Sequence, residues 1–197
     1  MDGFLFLEED YIVAPTFYEN IQKGFAYIDS KGRQEEFFGL VLDPTDGYAF
    51  QAPSKDSGWV ERQFVTGPMA IRRDIFAKIN THAKDFCEFD DYNWDWSLVH
   101  LMSEGYVPFK VLCPSSLQTA HIGLEGGMHG DAAMEKKRIK RMHKLLNENG
   151  KLEAYHSDVG VPHAQRITPP EDKKGFGGWG HPADQEHCME VFDAAKK

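Results

Sequence analysis

Three groups of side chains in this sequence have the types and spacing to do chemistry. The first is Glu8-Glu9-Asp10, directly after the apolar run 3–7, GFLFL. That run predicts a buried strand delivering its carboxylates at its C-terminal edge. Like charges so close repel, so burial raises a carboxyl pKa or costs stability unless a cation sits among them. Hard oxygen ligands suit Mg²⁺ or Mn²⁺, and at the carboxyl edge of an α/β sheet such an ion would meet a nucleotide diphosphate. A solvated turn after a strand would carry the same letters.

The second group is Asp90-Asp91-Tyr92-Asn93-Trp94-Asp95-Trp96. Carboxylates can hydrogen-bond or deprotonate sugar hydroxyls, and aromatic rings stack on the apolar faces of pyranoses. A helix N-terminus, where acids favour the dipole, would account for Asp90 and Asp91. It accounts less well for Asp95, held between two Trp. The third group is the Gly-rich loop His121-Ile-Gly-Leu-Glu-Gly-Gly-Met-His129. An imidazole added to a carboxylate shifts preference toward Mn²⁺ over Mg²⁺, and spacing leaves His121 and His129 as alternatives.

These groups must be positioned by an α/β arrangement. Phe17, Ile21, Phe25 and Ile28 follow Pro15 at helical spacing. Runs 37–42, 64–71 and 107–113 read as strands, the last closed by Pro114. Ile75, Phe76 and Ile79 mark a helix over 73–83. Leu98, Leu101 and Met102 mark another that stops at Gly105, and 188–194 a short last one. Residues 132–149 predict a helix stopped by Gly150, with Lys136, Lys137, Arg138, Lys140, Arg141 and Lys144 on its solvent face. No linker separates two domains, so one domain over 1–197 is expected.

A formal net charge of -9 argues against a nucleic-acid partner. No stretch of about 18 apolar residues occurs, and the acidic N-terminus has no basic segment of a signal peptide. Cys87, Cys113 and Cys188 lack the spacing of a zinc site.

Together the strand followed by EED, the FC–x–x–DDYNWDW segment, and KVL–x–P followed by H–x–G–x–x–GGMH resemble the N-acetylglucosaminyltransferase II family. The resemblance runs on through Gly177-Gly-Trp-Gly180 to Cys188. It implies the C-terminal portion of a GT-A, Rossmann-like fold, with a mixed sheet and flanking helices. It also implies inverting, Mn²⁺-dependent transfer of GlcNAc from UDP-GlcNAc to an N-glycan mannose in the Golgi lumen. Carried over by position, Asp10 and His121 become the metal ligands and Asp95 the general base. Glu9, Tyr92, Asn93, Trp94 and Trp179 become donor or acceptor contacts. Cys87 and Cys188 become a disulfide, and Cys113 an unbridged, buried thiol.

The sequence departs from the family pattern at Glu125, Thr81 and Gly105, where cysteines are expected, and over 29–60. It also begins at the acidic motif, so the nucleotide-binding strands, stem and membrane anchor expected of such a protein are not in it. Weak donor binding by this polypeptide alone is therefore expected. The competing expectations are a non-catalytic glycan-binding remnant and a metal-dependent hydrolase.

Overall fold

The computed structural model describes residues 3–8, 11–42, 59–89, 94–114, 118–121, 133, 136–137, 140, 156–157 and 182–194. The chain forms two compact units, each assembled from two stretches: 1–71 with 110–162, and 72–109 with 163–197.

The first unit is α/β. Its elements are β1 (Gly3–Phe6), β2 (Tyr11–Val13), α1 (Phe17–Ser30), β3 (Phe37–Val41), β4 (Trp59–Gln63), β5 (Met69–Arg72), β6 (Lys110–Pro114), β7 (Thr119–His121) and β8 (His156–Ser157). Six strands form a sheet in the order β1-β5-β3-β6-β4-β8, and β2 and β7 form a separate ribbon. The sheet is mixed: β3 runs parallel to β6 and β4 to β8, whereas β3–β5 and β4–β6 are antiparallel.

Helix α1 forms where the spacing predicts it. Phe17, Ile21, Phe25 and Ile28 make one buried stripe, packed with Leu40, Trp59, Ala70 and Leu112 of the sheet. Gly24 lets the helix come close. A Cβ there would stand 2.8 Å from Trp59 Cη2 and 2.9 Å from Leu40 Cδ1. Gly39 does the same between strands, since a Cβ on it would collide with the Ala70 carbonyl oxygen.

Four expectations change. β1 is a strand but not a buried one: Phe4, Leu5, Phe6 and Leu7 are all exposed. It lies at the end of the sheet order, flanked among the described strands by β5 alone. The run 64–71 is strand only from Met69, after a turn at Gly67, whose φ is 147°. The run 107–113 is strand only from Lys110, and β6 ends on Pro114, opposite Trp59. And β4 is a strand the sequence hides, because it buries Glu61 and Arg62. Arg33 compensates Glu61, donating from Nη1 at 2.6 Å and Nη2 at 3.0 Å while also pairing with Glu36. Lys110 closes the cluster, 2.8 Å from Glu36 and 3.5 Å from Glu61.

The described helices of the second unit are α2 (Arg73–Thr81), α3 (Ala83–Cys87), α4 (Trp94–Ser103) and α5 (Pro182–Ala194). α2 buries Ile75 and Ile79, one turn apart. α4 ends as expected at Gly105, with φ 78° and a Gly105 N–H donated to Met102 O. Tyr106 N–H then reaches Leu101 O, closing a Schellman-type stop. α5 begins at Pro182, earlier than expected, and carries Cys188.

Of the predicted 132–149 helix, Ala133, Lys136, Lys137 and Lys140 are described; all are helical and exposed. That fits a solvated basic face. Among the described residues no helix is long and apolar enough to cross a membrane.

Candidate active site

Glu8 and His121 belong to the first unit. Glu8 is half-buried and its carbonyl accepts the Tyr11 N–H at 3.3 Å; Glu9 and Asp10 lie outside the described residues. β2 pairs antiparallel with β7 in the register Tyr11↔His121, Ile12↔Ala120, Val13↔Thr119. The residue that follows Asp10 is thus the backbone partner of His121. His129, the alternative, lies outside the described residues.

A buried polar link fixes the ribbon. Ala14 N–H donates to Gln118 O at 2.8 Å, and Asn20 Nδ2 of α1 donates to Gln118 Oε1 at 2.6 Å. Asn20 and Gln118 are both buried, where a direct amide bond favours one arrangement because losing its partner is costly, although Asn20 Oδ1 itself meets no partner among the described residues. Thr119 Oγ1 adds a long contact to Leu42 O at 3.5 Å. Neither β7 nor this link was evident from sequence. Thr-Ala-His is too short for a periodic pattern, and Gln118 reads there as a loop residue.

Asp95 belongs to the second unit. It lies in the first turn of α4, half-buried, with its Oδ1 shielded from solvent. A carboxylate there is favoured by the amide dipoles of the helix start. The helix is held by its buried residues Ser97, Leu98, Leu101 and Met102. Trp94 and Trp96 on either side of Asp95 are half-buried. Tyr92, Asn93 and Trp179 lie outside the described residues.

The approach to α4 is anchored by the Cys87–Cys188 disulfide, which ties α3 to α5. The Phe86 and Phe192 rings meet edge to face beside it, 5.9 Å apart. Two stacks involve histidine: His82 on Tyr106 at 3.7 Å and Phe89 on His100 at 4.3 Å. Sequence spacing gave no signal for either. Cys113 is buried on β6 outside any disulfide. Among the described residues no three His, Cys, Asp or Glu side chains gather in a way that would hold a metal ion.

A family model described as N-acetylglucosaminyltransferase II (MGAT2) matches residues 2–188, a span holding all three constellations and both bridged cysteines. The chain belongs to that family. Among the family's curated members, the alpha-1,6-mannosyl-glycoprotein 2-beta-N-acetylglucosaminyltransferase of Rattus norvegicus is 30% identical over 196 residues. That match takes in 93% of this chain and 42% of the rat protein. Proteins of the same name from Sus scrofa and Arabidopsis thaliana are each 28% identical, covering 93% and 94% of this chain and 41% and 43% of their own lengths. This family member thus spans about two fifths of the length of the relatives it matches.

Proposed function

We propose that this chain carries the chemical part of an inverting GT-A glycosyltransferase. The reaction is transfer of GlcNAc from UDP-GlcNAc to O2 of the α1,6-arm mannose of N-glycans, giving a β1,2 linkage. The family match through residues 2–188 carries this reading. The Tyr11↔His121 pairing supports it, because covalent connection puts Asp10 one peptide step from that pair. One carboxylate and one imidazole make a donor set suited to Mn²⁺. Asp10 and His121 would hold that ion, which when bound supplies Lewis-acid neutralisation of the diphosphate.

Asp95 takes the proton from the mannose hydroxyl as its oxygen attacks the anomeric carbon from the face opposite UDP. The new C–O bond forms as the bond to the phosphate oxygen breaks, and its electron pair leaves with UDP. Glu9, Tyr92, Asn93, Trp94 and Trp179 shape the donor and acceptor pocket. A protein of this kind acts in the Golgi lumen on glycoproteins, membrane-anchored in its full-length form.

The test is a transfer assay on this chain with UDP-GlcNAc, Mn²⁺ and a mannose-terminated N-glycan acceptor. Asp95→Asn should lower kcat about 10²- to 10⁴-fold, the range of a lost general base, with the helical circular dichroism unchanged. Chelation should abolish transfer and Mn²⁺ restore it. Transfer unaffected by Asp95→Asn would overturn the assignment of the base. Glycan binding without any transfer would instead mark a non-catalytic member.

A further inference from the structure

The β2–β7 ribbon is short and stands apart from the large sheet. It has three paired positions and shares no described strand with the six-stranded sheet. Two strands that short are at best marginally stable alone, so contacts outside the ribbon must set its position. One of them is direct. Asn20 Nδ2, on the buried stripe of α1, donates to Gln118 Oε1 at 2.6 Å across 98 positions of sequence. Gln118 in turn holds both strands through its backbone. Its carbonyl accepts the Ala14 N–H at 2.8 Å, one residue beyond β2, and Thr119 opens β7 directly after it. His121 follows three residues on, about 10 Å along an extended chain. Every step from α1 to the His121 backbone is therefore a hydrogen bond or a covalent bond between described residues.

Asn20 is a poor choice for stability alone. It is fully buried, and its Nδ2 faces Thr16 Oγ1 at 3.3 Å as well as Gln118 Oε1. Its Oδ1 meets no partner among the described residues. A buried acceptor left unpaired is costly, and a leucine of similar volume among the apolar residues of the stripe would avoid that cost. What leucine cannot supply is a directional bond to Gln118. The amide serves direction rather than burial.

We propose that Asn20 is a positioning residue. Through Gln118 it fixes the ribbon to α1 and so holds His121 where it meets a divalent cation. This rests on the reading of His121 as a ligand of Mn²⁺.

The test uses the full chain and Mn²⁺ alone, without nucleotide or acceptor. Mn²⁺ is paramagnetic and broadens the imidazole resonances of a histidine that it binds. The His121 signal is identified as the one missing from His121→Gln. Asn20→Leu and Asn20→Ala both remove the donor and differ in bulk. Each should raise the Mn²⁺ concentration that half-broadens His121 about 10-fold, the low end for loss of a group that orients a metal ligand. The exchanged pair Asn20→Gln/Gln118→Asn keeps the combined side-chain length and should restore it. Amides of 11–14 and 118–121 should exchange faster with solvent in Asn20→Leu, while β3 and β6 keep wild-type protection. Broadening of His121 at the wild-type concentration in both single variants would overturn the proposal. Lost protection extending through β3 and β6 would do so too, as the mark of a merely structural residue. A wild type whose His121 signal stays sharp in Mn²⁺ would overturn the reading of His121, and the proposal with it.

Discussion

Glu36 sits between two cations. Its carboxylate accepts from Arg33 Nε at 2.9 Å and Nη2 at 2.8 Å, and from Lys110 Nζ at 2.8 Å. The Arg33 bonds, and then the Lys110 bond, hold its pKa down from 4.5 to about 2. A carboxyl whose pKa is depressed by folding stabilises the protein above its unfolded value and loses that contribution as pH falls through the folded one. The window here lies between 4.5 and about 2. The side chain keeps 46% of its surface exposed, so solvent screening holds the effect to about 1 kcal/mol or less. Thermal unfolding followed against pH should show wild type above Glu36→Gln near neutrality and the two curves converging toward pH 2. Glu61, buried beside it, shows why this cluster was not legible beforehand. A charged residue in WVERQ reads as solvated until a cation from 28 positions away is known to meet it. The residues of α1 were legible because the signal that places them, a repeat every three or four positions, lies within a single helix.

At the scale of elements, α1 and the sheet meet over Gly24. In most helices Gly→Ala stabilises by about 0.5–1 kcal/mol through backbone entropy. Here the added methyl would press on the Trp59 ring and on Leu40, both wholly buried. Overpacking of that kind costs about 1–3 kcal/mol, so the clash outweighs the propensity. Gly24→Ala should therefore lower the midpoint of thermal unfolding, whereas Gly32→Ala tests only backbone strain, since its φ is 63° and nothing lies within 4 Å of the added carbon. Elements with their own apolar pattern, such as the stripe of α1 and the continuous run of β3, could be read directly. β4 and β7 could not. One is disguised by buried ion pairs and the other is three residues long, defined by what it pairs with. The candidate site was legible in the same uneven way. The residue types at Asp10, Asp95 and His121 stand out, while the ribbon and the amide pair beside it come from partners distant in sequence.

The molecule as a whole is two units, and no composition shift marks them because each is assembled from separated stretches of chain. The second joins 72–109 to 163–197, and Cys87–Cys188 is its covalent cross-tie, 101 positions apart. Closing so long a loop contributes about 4–5 kcal/mol in the chain-entropy model. α5 buries none of its own residues, so the tie carries much of its attachment. A Cys87→Ser/Cys188→Ser double variant should unfold at lower temperature and lose α5 early to limited proteolysis, with β3 and β6 still protected. The third cysteine gives this arrangement a consequence in time. Three thiols allow three pairings, and one of them leaves Cys113 out. Cys113 stands on β6 between β3 and β4 with 1% of its surface exposed, beyond the reach of an oxidant once those strands have closed. A chain oxidised before then offers Cys113 to either rival. With Cys113 buried in the sheet, Cys87 and Cys188 are the pair left to each other.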